Sequence, residues 1–288
     1  MLGATGQIGW ELQRTLAPLG QVISAGRSYG ERPVDFGQPG SLAQAMTDVR
    51  PDLVVNAAAY TAVEKAEAEP ELAQRVNADA VAELGEVAAK LNSAIIHFST
   101  DYVFSGQPGR PWQETDKPAP KNVYGKTKLA GEQALLASGA DALILRTSWV
   151  YGKRGSNFLV TMQKLFIEKD SLNIVNDQIG APTWSRMIAE ATAQIVAQSR
   201  QNQRIVLDDR AGTYHLSAAG ETSWYEFALA IKKSVDGKCS LHAVSTDQYP
   251  SAVIRPAYSV LDNTKIMKAF GVQLHDWRET FELWFPFN

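Results

Sequence analysis

One cysteine in 288 residues, Cys239, excludes an internal disulfide framework. Histidine is nearly as scarce: His97, His215, His242 and His275 are scattered without metal-ligand spacing, so no metal is expected. Charge of one sign is also missing. With 28 Lys and Arg against 31 Asp and Glu, the formal net charge is only −3, which gives no electrostatic case for a nucleic acid or an anionic membrane as partner. No apolar run reaches membrane-spanning length and no signal peptide is recognisable, so a reduced, cytoplasmic protein is expected. The chain is 45% hydrophobic, enough at this length for one large domain, or for one domain plus a smaller lobe.

Glycine is placed rather than abundant. Gly3-Ala-Thr-Gly6-Gln-Ile-Gly9 runs straight into a helical stripe of Ile8, Leu12 and Leu16 that stops at Pro18-Leu-Gly20. Glycines at a strand-to-helix turn let a backbone approach a pyrophosphate, and the helix N-terminus supplies N–H groups and a positive dipole end. Only Met1 and Leu2 precede Gly3, where a strand of about 5 residues should stand. The expectation is that a natural version of this chain carries a few more apolar residues ahead of Met1.

A strand over Gln21–Arg27 should follow, ending at Gly26-Arg27 without the carboxylate that an NAD ribose calls for. Arg27 fits either a 2′-phosphate, hence NADPH with NADH as the alternative, or solvent. Asp35-Phe36 stands where an adenine contact is available. Asp52 to Thr61 reads as a buried strand ending in Ala59, Tyr60 and Thr61, where small residues let a flat cofactor lie against the backbone. Val76 to Leu91 reads as a helix that only packs. Ala94 to Tyr102 is a strand turning polar at Ser99, Thr100 and Asp101. Ligands of open α/β sheets sit outside such carboxyl ends, so these residues fall where a carbonyl oxygen could be gripped.

Tyr124-Gly-Lys-Thr-Lys128 puts a phenol and an ammonium about one helical turn apart on one face. A nearby ammonium favours the phenolate and lowers the tyrosine pKa, making it a general acid or base. By itself the spacing fits an ordinary exposed helix better. A further strand runs from Ala142 to Gly152. Strands alternating with helices predict an α/β fold, a doubly wound parallel (Rossmann) sheet. After Gly152 the rhythm loosens: helices over Asn157–Lys169, Trp184–Ser199, Ser223–Ser234 and Asn263–Phe270, short strands at Leu172–Val175 and Gly212–Ser217. The predicted division is a dinucleotide-binding domain over 1–152, with elements near 183–217 returning to it, and an interleaved substrate-binding lobe over 153–182 and 218–288.

The glycine turn, Ser99-Thr100-Asp101-Tyr-Val-Phe-Ser-Gly106 and Tyr124-Gly-Lys-Thr-Lys128 together resemble the extended short-chain dehydrogenase/reductase superfamily. Val55-Asn-Ala-Ala-Ala59, Arg146-Thr-Ser-Trp-Val-Tyr151 and Asn176-Asp-Gln-Ile-Gly-Ala-Pro-Thr183 narrow the resemblance to the dTDP-4-dehydrorhamnose reductase family, across essentially the whole chain. The resemblance implies reduction of a dTDP-sugar ketone by NAD(P)H. It implies Tyr124 as proton donor, Lys128 on the nicotinamide ribose and Thr100 on the substrate oxygen. It further implies Gly3, Gly6, Gln7 and Ile8 at the pyrophosphate, Arg27, Asp35 and Phe36 at the adenosine end, and Ala59, Tyr60 and Thr61 at the middle of the dinucleotide. Thr100, Asp101 and Trp149 would face the sugar nucleotide. Arg255 is either a diphosphate clamp or a surface ion pair. Some members of the family dimerise through a glutamate-built magnesium site; Glu11 and Glu282 match it, but Arg186 stands at the third position and cannot ligate a cation. A monomer or a dimer not linked by metal is therefore expected. Another sugar-nucleotide reductase or epimerase, or a non-catalytic regulatory subunit of the same fold, are the alternatives.

Overall fold

The computed structural model describes residues 1–27, 32–106, 109–202, 204–235 and 238–284. Its centre is a parallel sheet. Strands β1 (Ala25–Gly26) and β2 (Arg32–Pro33) pair at one edge. Strands β3 (Leu53–Asn56), β4 (Ala94–Thr100) and β5 (Ala142–Thr147) follow, with the Gly212–His215 strand beside β5 at the other edge. Leu2 joins the two groups, bridging Ala25 on one side and Asn56 on the other.

Every residue of β4 and β5 is buried. Side chains of a strand alternate between faces, so strands buried along their whole length belong in a sheet covered on both sides. Ile96, Phe98, Leu143 and Leu145 pack with Leu12 and Leu16 of the first helix (Gln7–Leu16) and with Ile188 and Ile195 of the Ser185–Gln198 helix. On the opposite face Ile95 and Ile144 meet Leu84, Leu135, Leu42 and Met46.

The strand predicted over Gln21–Arg27 is reduced to Ala25–Gly26. Its neighbour offers only two residues: the Ala25 N–H donates to Met1 O at 2.9 Å, Leu2 N–H to Val55 O at 2.9 Å and Ala57 N–H to Leu2 O at 3.1 Å. A cavity of about 490 Å³ is lined by Met1, Leu16, Leu19, Val22, Ile23, Val54 and Val196.

The later elements build a third core of Tyr151, Phe166, Phe227, Trp277, Phe281 and Trp284. Short strand pairs frame it: Val150–Tyr151 with Thr183–Trp184, Ile179–Gly180 with Thr222–Ser223, and Ser171–Val175 with Ser240–Val244. The helices predicted there stand at Phe158–Glu168, Ser185–Gln198, Trp224–Lys232 and Thr264–Phe270. The sequence reading missed the Ser240–Val244 strand and the Trp277–Trp284 helix.

Candidate active site

The glycine turn sits at the head of the first helix, against the exit of β3. Gly3 has φ +77°, and a Cβ there would lie 2.5 Å from the Ala57 carbonyl carbon. Gly6, the N-cap, carries no side-chain acceptor, and its φ of −74° and ψ of 173° are extended. The first-turn N–H groups after it are therefore left for an anion, the arrangement that a pyrophosphate needs. Gln7 adds a polar side chain: its Oε1 accepts from Asn157 Nδ2 at 2.9 Å, and its Nε2 donates to Val150 O at 3.4 Å.

Arg27 is exposed at the end of β1. Asp35 turns back on its own loop, its Oδ1 accepting from the Gly37 N–H at 2.9 Å, and the Phe36 ring packs in the core. The Ala59–Thr61 loop is held by Asn77, whose Oδ1 accepts from Tyr60 N–H at 2.8 Å while its Nδ2 donates to Tyr60 O at 3.1 Å and to Thr127 Oγ1 at 3.2 Å. Asn77 therefore fastens the loop after β3 to the Tyr124 helix (Val123–Ala137). It lies on a π-turn over Arg75–Asp79, a feature common beside functional sites. The reading of Val76–Leu91 as packing alone is thus too narrow.

Thr100, Asp101 and Tyr124 meet beyond the carboxyl end of β4. The Tyr124 hydroxyl lies beside Thr100. Thr100 Oγ1 in turn donates to Asp101 Oδ1 at 3.0 Å and accepts from Tyr102 N–H at 3.2 Å. Asp101 Oδ2 accepts from Ser148 Oγ at 3.0 Å, and Ser259 also bonds the carboxyl. Burial pushes Asp101 up to about 6 against these hydrogen bonds, which pull it down.

Lys128 departs from its predicted role in one respect. Its nitrogen is turned toward β4, 2.7 Å from Phe98 O and 3.1 Å from His97 Nε2, rather than toward the phenol. Burial holds Lys128 down to about 8 and pushes Tyr124 up to about 12, the nearby Asp101 charge adding to that rise. The lowering of Tyr124 by a neighbouring ammonium is therefore absent from this arrangement.

Trp149 sits in the left-handed region with φ +45°, and its indole lies flat on Trp224, ring centroids 3.4 Å apart and 4° from parallel. Gly180 makes room: a Cβ there would fall 2.3 Å from the indole. Phe158 braces Trp224 from behind at 4.5 Å. Arg255 lies beside Tyr102, bonded to Ser251 Oγ at 2.9 Å and paired with Glu64. At the supposed metal position Arg186 donates to Glu11 Oε2 at 3.3 Å, and Glu282 is exposed.

The family described as RmlD substrate binding domain matches residues 1–285. The dTDP-4-dehydrorhamnose reductase of Escherichia coli K12 is 44% identical over 286 residues, 96% of this chain and 93% of that protein. The Burkholderia thailandensis protein of the same name is 45% identical over 96% of this chain and 94% of its own. The chain belongs to the dTDP-4-dehydrorhamnose reductase family. The crystal structure of the family member from Clostridium acetobutylicum superposes with a TM-score of 0.90 at 32% identity, covering 99% of this chain and 97% of that one. The Bacillus anthracis reductase, solved in complex with NADP, gives 0.89 at 32% identity over 100% and 98%. A Thermus thermophilus UDP-glucose 4-epimerase, at 20% identity and a TM-score of 0.76, shares the fold.

Besides Asn77, two further contributors escaped the sequence reading of this reductase fold. His97, on β4, and Trp224, 75 residues beyond Trp149, touch Lys128 and Trp149 only after the chain has folded. Neither carries a local motif. Among the described residues no group of three His, Cys, Asp or Glu could hold a metal ion, and no helix is long and apolar enough to cross a membrane.

Proposed function

We infer that this chain reduces the C4 ketone of dTDP-4-dehydro-L-rhamnose to dTDP-L-rhamnose, with NADPH as reductant, and we assign the proton to Tyr124. The observation that carries the assignment is that Tyr124, Thr100 and Asp101 stand together at the carboxyl end of β4, Thr100 bonded to Asp101, on the same edge of the parallel sheet as the uncapped head of the first helix. That crevice is where open α/β sheets bind their ligands.

NADPH, when bound, supplies the hydride that reaches C4. The chain's own part is to bind, orient and protonate. Gly3, Gly6, Gln7 and Ile8 line the pyrophosphate, which the N–H groups of Gln7 and Ile8 hold, Arg27 with Asp35 and Phe36 the adenosine end, and Ala59, Tyr60 and Thr61 the middle. Lys128 holds the nicotinamide ribose. Tyr124 gives its hydroxyl proton to the C4 oxygen as the carbonyl π bond becomes the alcohol, and the phenolate left behind stays beside Thr100. General acid help of this kind contributes roughly 10²–10⁴ in rate. Asp101 and Trp149 orient the sugar nucleotide, and Arg255, released from Glu64, pairs with its diphosphate. The Arg186–Glu11 pair supports a monomer, or a dimer not linked by metal. Residues 153–182 and 218–288 serve as the substrate lobe, and 1–152 with elements near 183–217 as the dinucleotide domain.

The test is NADPH absorbance with the purified chain and dTDP-4-dehydro-L-rhamnose formed in place, beside UDP-glucose and NAD as the epimerase arm. Loss of absorbance with the wild type and not with Tyr124→Phe is expected. Turnover of UDP-glucose alone would overturn the substrate, and a Tyr124→Phe variant of wild-type rate would overturn the proton donor.

A further inference from the structure

The side chain of Gln7, at the start of the first helix, ties the glycine turn to two distant parts of the chain. Its Oε1 accepts from Asn157 Nδ2 at 2.9 Å, and its Nε2 donates to Val150 O at 3.4 Å. Each tie ends beside the indole wall. Val150 directly follows Trp149, and Phe158, which directly follows Asn157, packs on Trp224 at 4.5 Å. Trp149 and Trp224 stack on each other, so both members of the wall lead back to one side chain of the turn.

Asn157 does two things with one amide. It caps the Phe158–Glu168 helix: the Val160 N–H donates to its Oδ1 at 3.1 Å, which fixes the orientation of the amide. Nδ2 then faces the other way, and it can only donate. Its acceptors are Gln7 Oε1 and Gly152 O, each at 2.9 Å, and Arg154 O at 3.3 Å. The orientation passes on to Gln7, whose oxygen must face Asn157 and whose nitrogen is left for Val150. Glycine keeps this loop close to the turn: a Cβ on Gly155 would lie 3.5 Å from Gln7 Cγ, and one on Gly152 only 2.5 Å from Ser185 Oγ. A cap needs only an oxygen, so serine would serve the helix as well. What the longer amide adds is the reach to Gln7.

We propose that Asn157 is a positioning residue that links, through the Gln7 side chain, the seat of the dinucleotide to the Trp149–Trp224 wall, so that NADP(H) and the sugar nucleotide bind cooperatively. A pyrophosphate held by the Gln7 N–H fixes the backbone from which that side chain springs. Fixing it sets Val150 and Asn157, and with them the two indoles. By linkage, the sugar nucleotide tightens the dinucleotide by the same factor. The inference rests on the glycine turn being the cofactor seat and on Trp149 facing the sugar nucleotide.

The test uses the whole chain, with NADP⁺ and dTDP as probes. By titration calorimetry, dTDP is expected to bind the wild type about 5-fold or more tightly at saturating NADP⁺ than without it. Asn157→Ser keeps the cap but cannot reach Gln7. Its urea midpoint and its NADP⁺ affinity without dTDP should stay near wild type while the coupling factor falls to about 1. Gln7→Met, which keeps the backbone N–H, should lose the factor too, and Asn157→Ser should add nothing in that background. A wild type without coupling, or an Asn157→Ser variant that keeps it, overturns the proposal. A second readout needs no sugar nucleotide: ¹⁵N–¹H spectra of the tryptophan indoles, with Trp224 assigned by the loss of its signal in Trp224→Phe. NADP⁺ alone should shift that signal in the wild type and not in Asn157→Ser. No shift in the wild type, or an equal shift in both, overturns the link. If dTDP does not bind, the substrate reading fails, and the indole spectra still decide the link.

Discussion

Thr100 Oγ1 donates to Asp101 Oδ1 across 3.0 Å while accepting from the Tyr102 N–H, so the one proton of this hydroxyl is committed to a carboxylate. A ketone oxygen that is to accept a hydrogen bond from Thr100 must wait until the carboxylate is neutral or displaced. Burial puts Asp101 near 6, so the acid form is reached just below neutrality. The sign follows: protonating Asp101 frees Thr100, and kcat/KM for reduction should rise as pH falls through about 6. Asp101→Asn should remove that limb from the pH profile; a profile unchanged in the variant would disconnect Asp101 from Thr100.

Tyr124→Phe keeps the ring edge-on to Tyr102, whose centroid lies 5.6 Å away, and removes only the hydroxyl. A fall in kcat of roughly 10²–10⁴ is expected, with NADPH binding by fluorescence titration changed little. Loss of NADPH binding of the same size would mean that the hydroxyl acts on the cofactor rather than on the ketone.

Trp149 and Trp224 form one aromatic wall, and Gly180 is the space into which it fits. Gly180→Ala puts a methyl where the indole lies, so Trp149 must leave its place. KM for the dTDP-sugar should rise by about 10-fold or more, from lost positioning, with KM for NADPH near wild type. Trp224→Ala should act in the same direction by removing the surface on which Trp149 stacks. Equal losses for both ligands would point to damage beyond the wall.

His215 is buried next to Arg146, and together burial and that guanidinium hold it down to about 3. Its folded pKa lies below the unfolded value of about 6.5, so the protein must exclude a proton that the unfolded chain binds. The stability this provides is complete above about 6.5 and is lost as pH falls toward 3. The expected slope is on the order of 1.4 kcal/mol per pH unit from this group. Urea unfolding of wild type and His215→Phe between pH 7 and pH 4 checks it, and the variant should show the shallower dependence.

What could be read in advance was what is local along the chain. The glycine turn, the polar end of β4 and the four-residue step from Tyr124 to Lys128 are each contained in a few consecutive residues, and the strand-helix alternation that gives the parallel sheet is carried by periodicity. The direction of the Lys128 side chain was not legible, because its partners His97 and Phe98 come from a strand some 30 residues earlier. The Asn77 clasp on Tyr60 and Thr127 hid inside an alanine-rich helical pattern, and the Trp149–Trp224 stack depends on a strand pairing between Ile179–Gly180 and Thr222–Ser223 that no repeat announces. The second strand was misjudged in length: only Ala25–Gly26 pair as strand, against Arg32–Pro33, with Leu2 bridging Ala25.

The most direct test of the account is transfer of label from NADPH deuterated at C4 of the nicotinamide. Wild-type chain is incubated with dTDP-4-dehydro-L-rhamnose and the product read by NMR. Deuterium at C4 of dTDP-L-rhamnose, absent when Tyr124 is replaced by Phe, is the predicted result. Deuterium on any other carbon, or product formed without label, would contradict it.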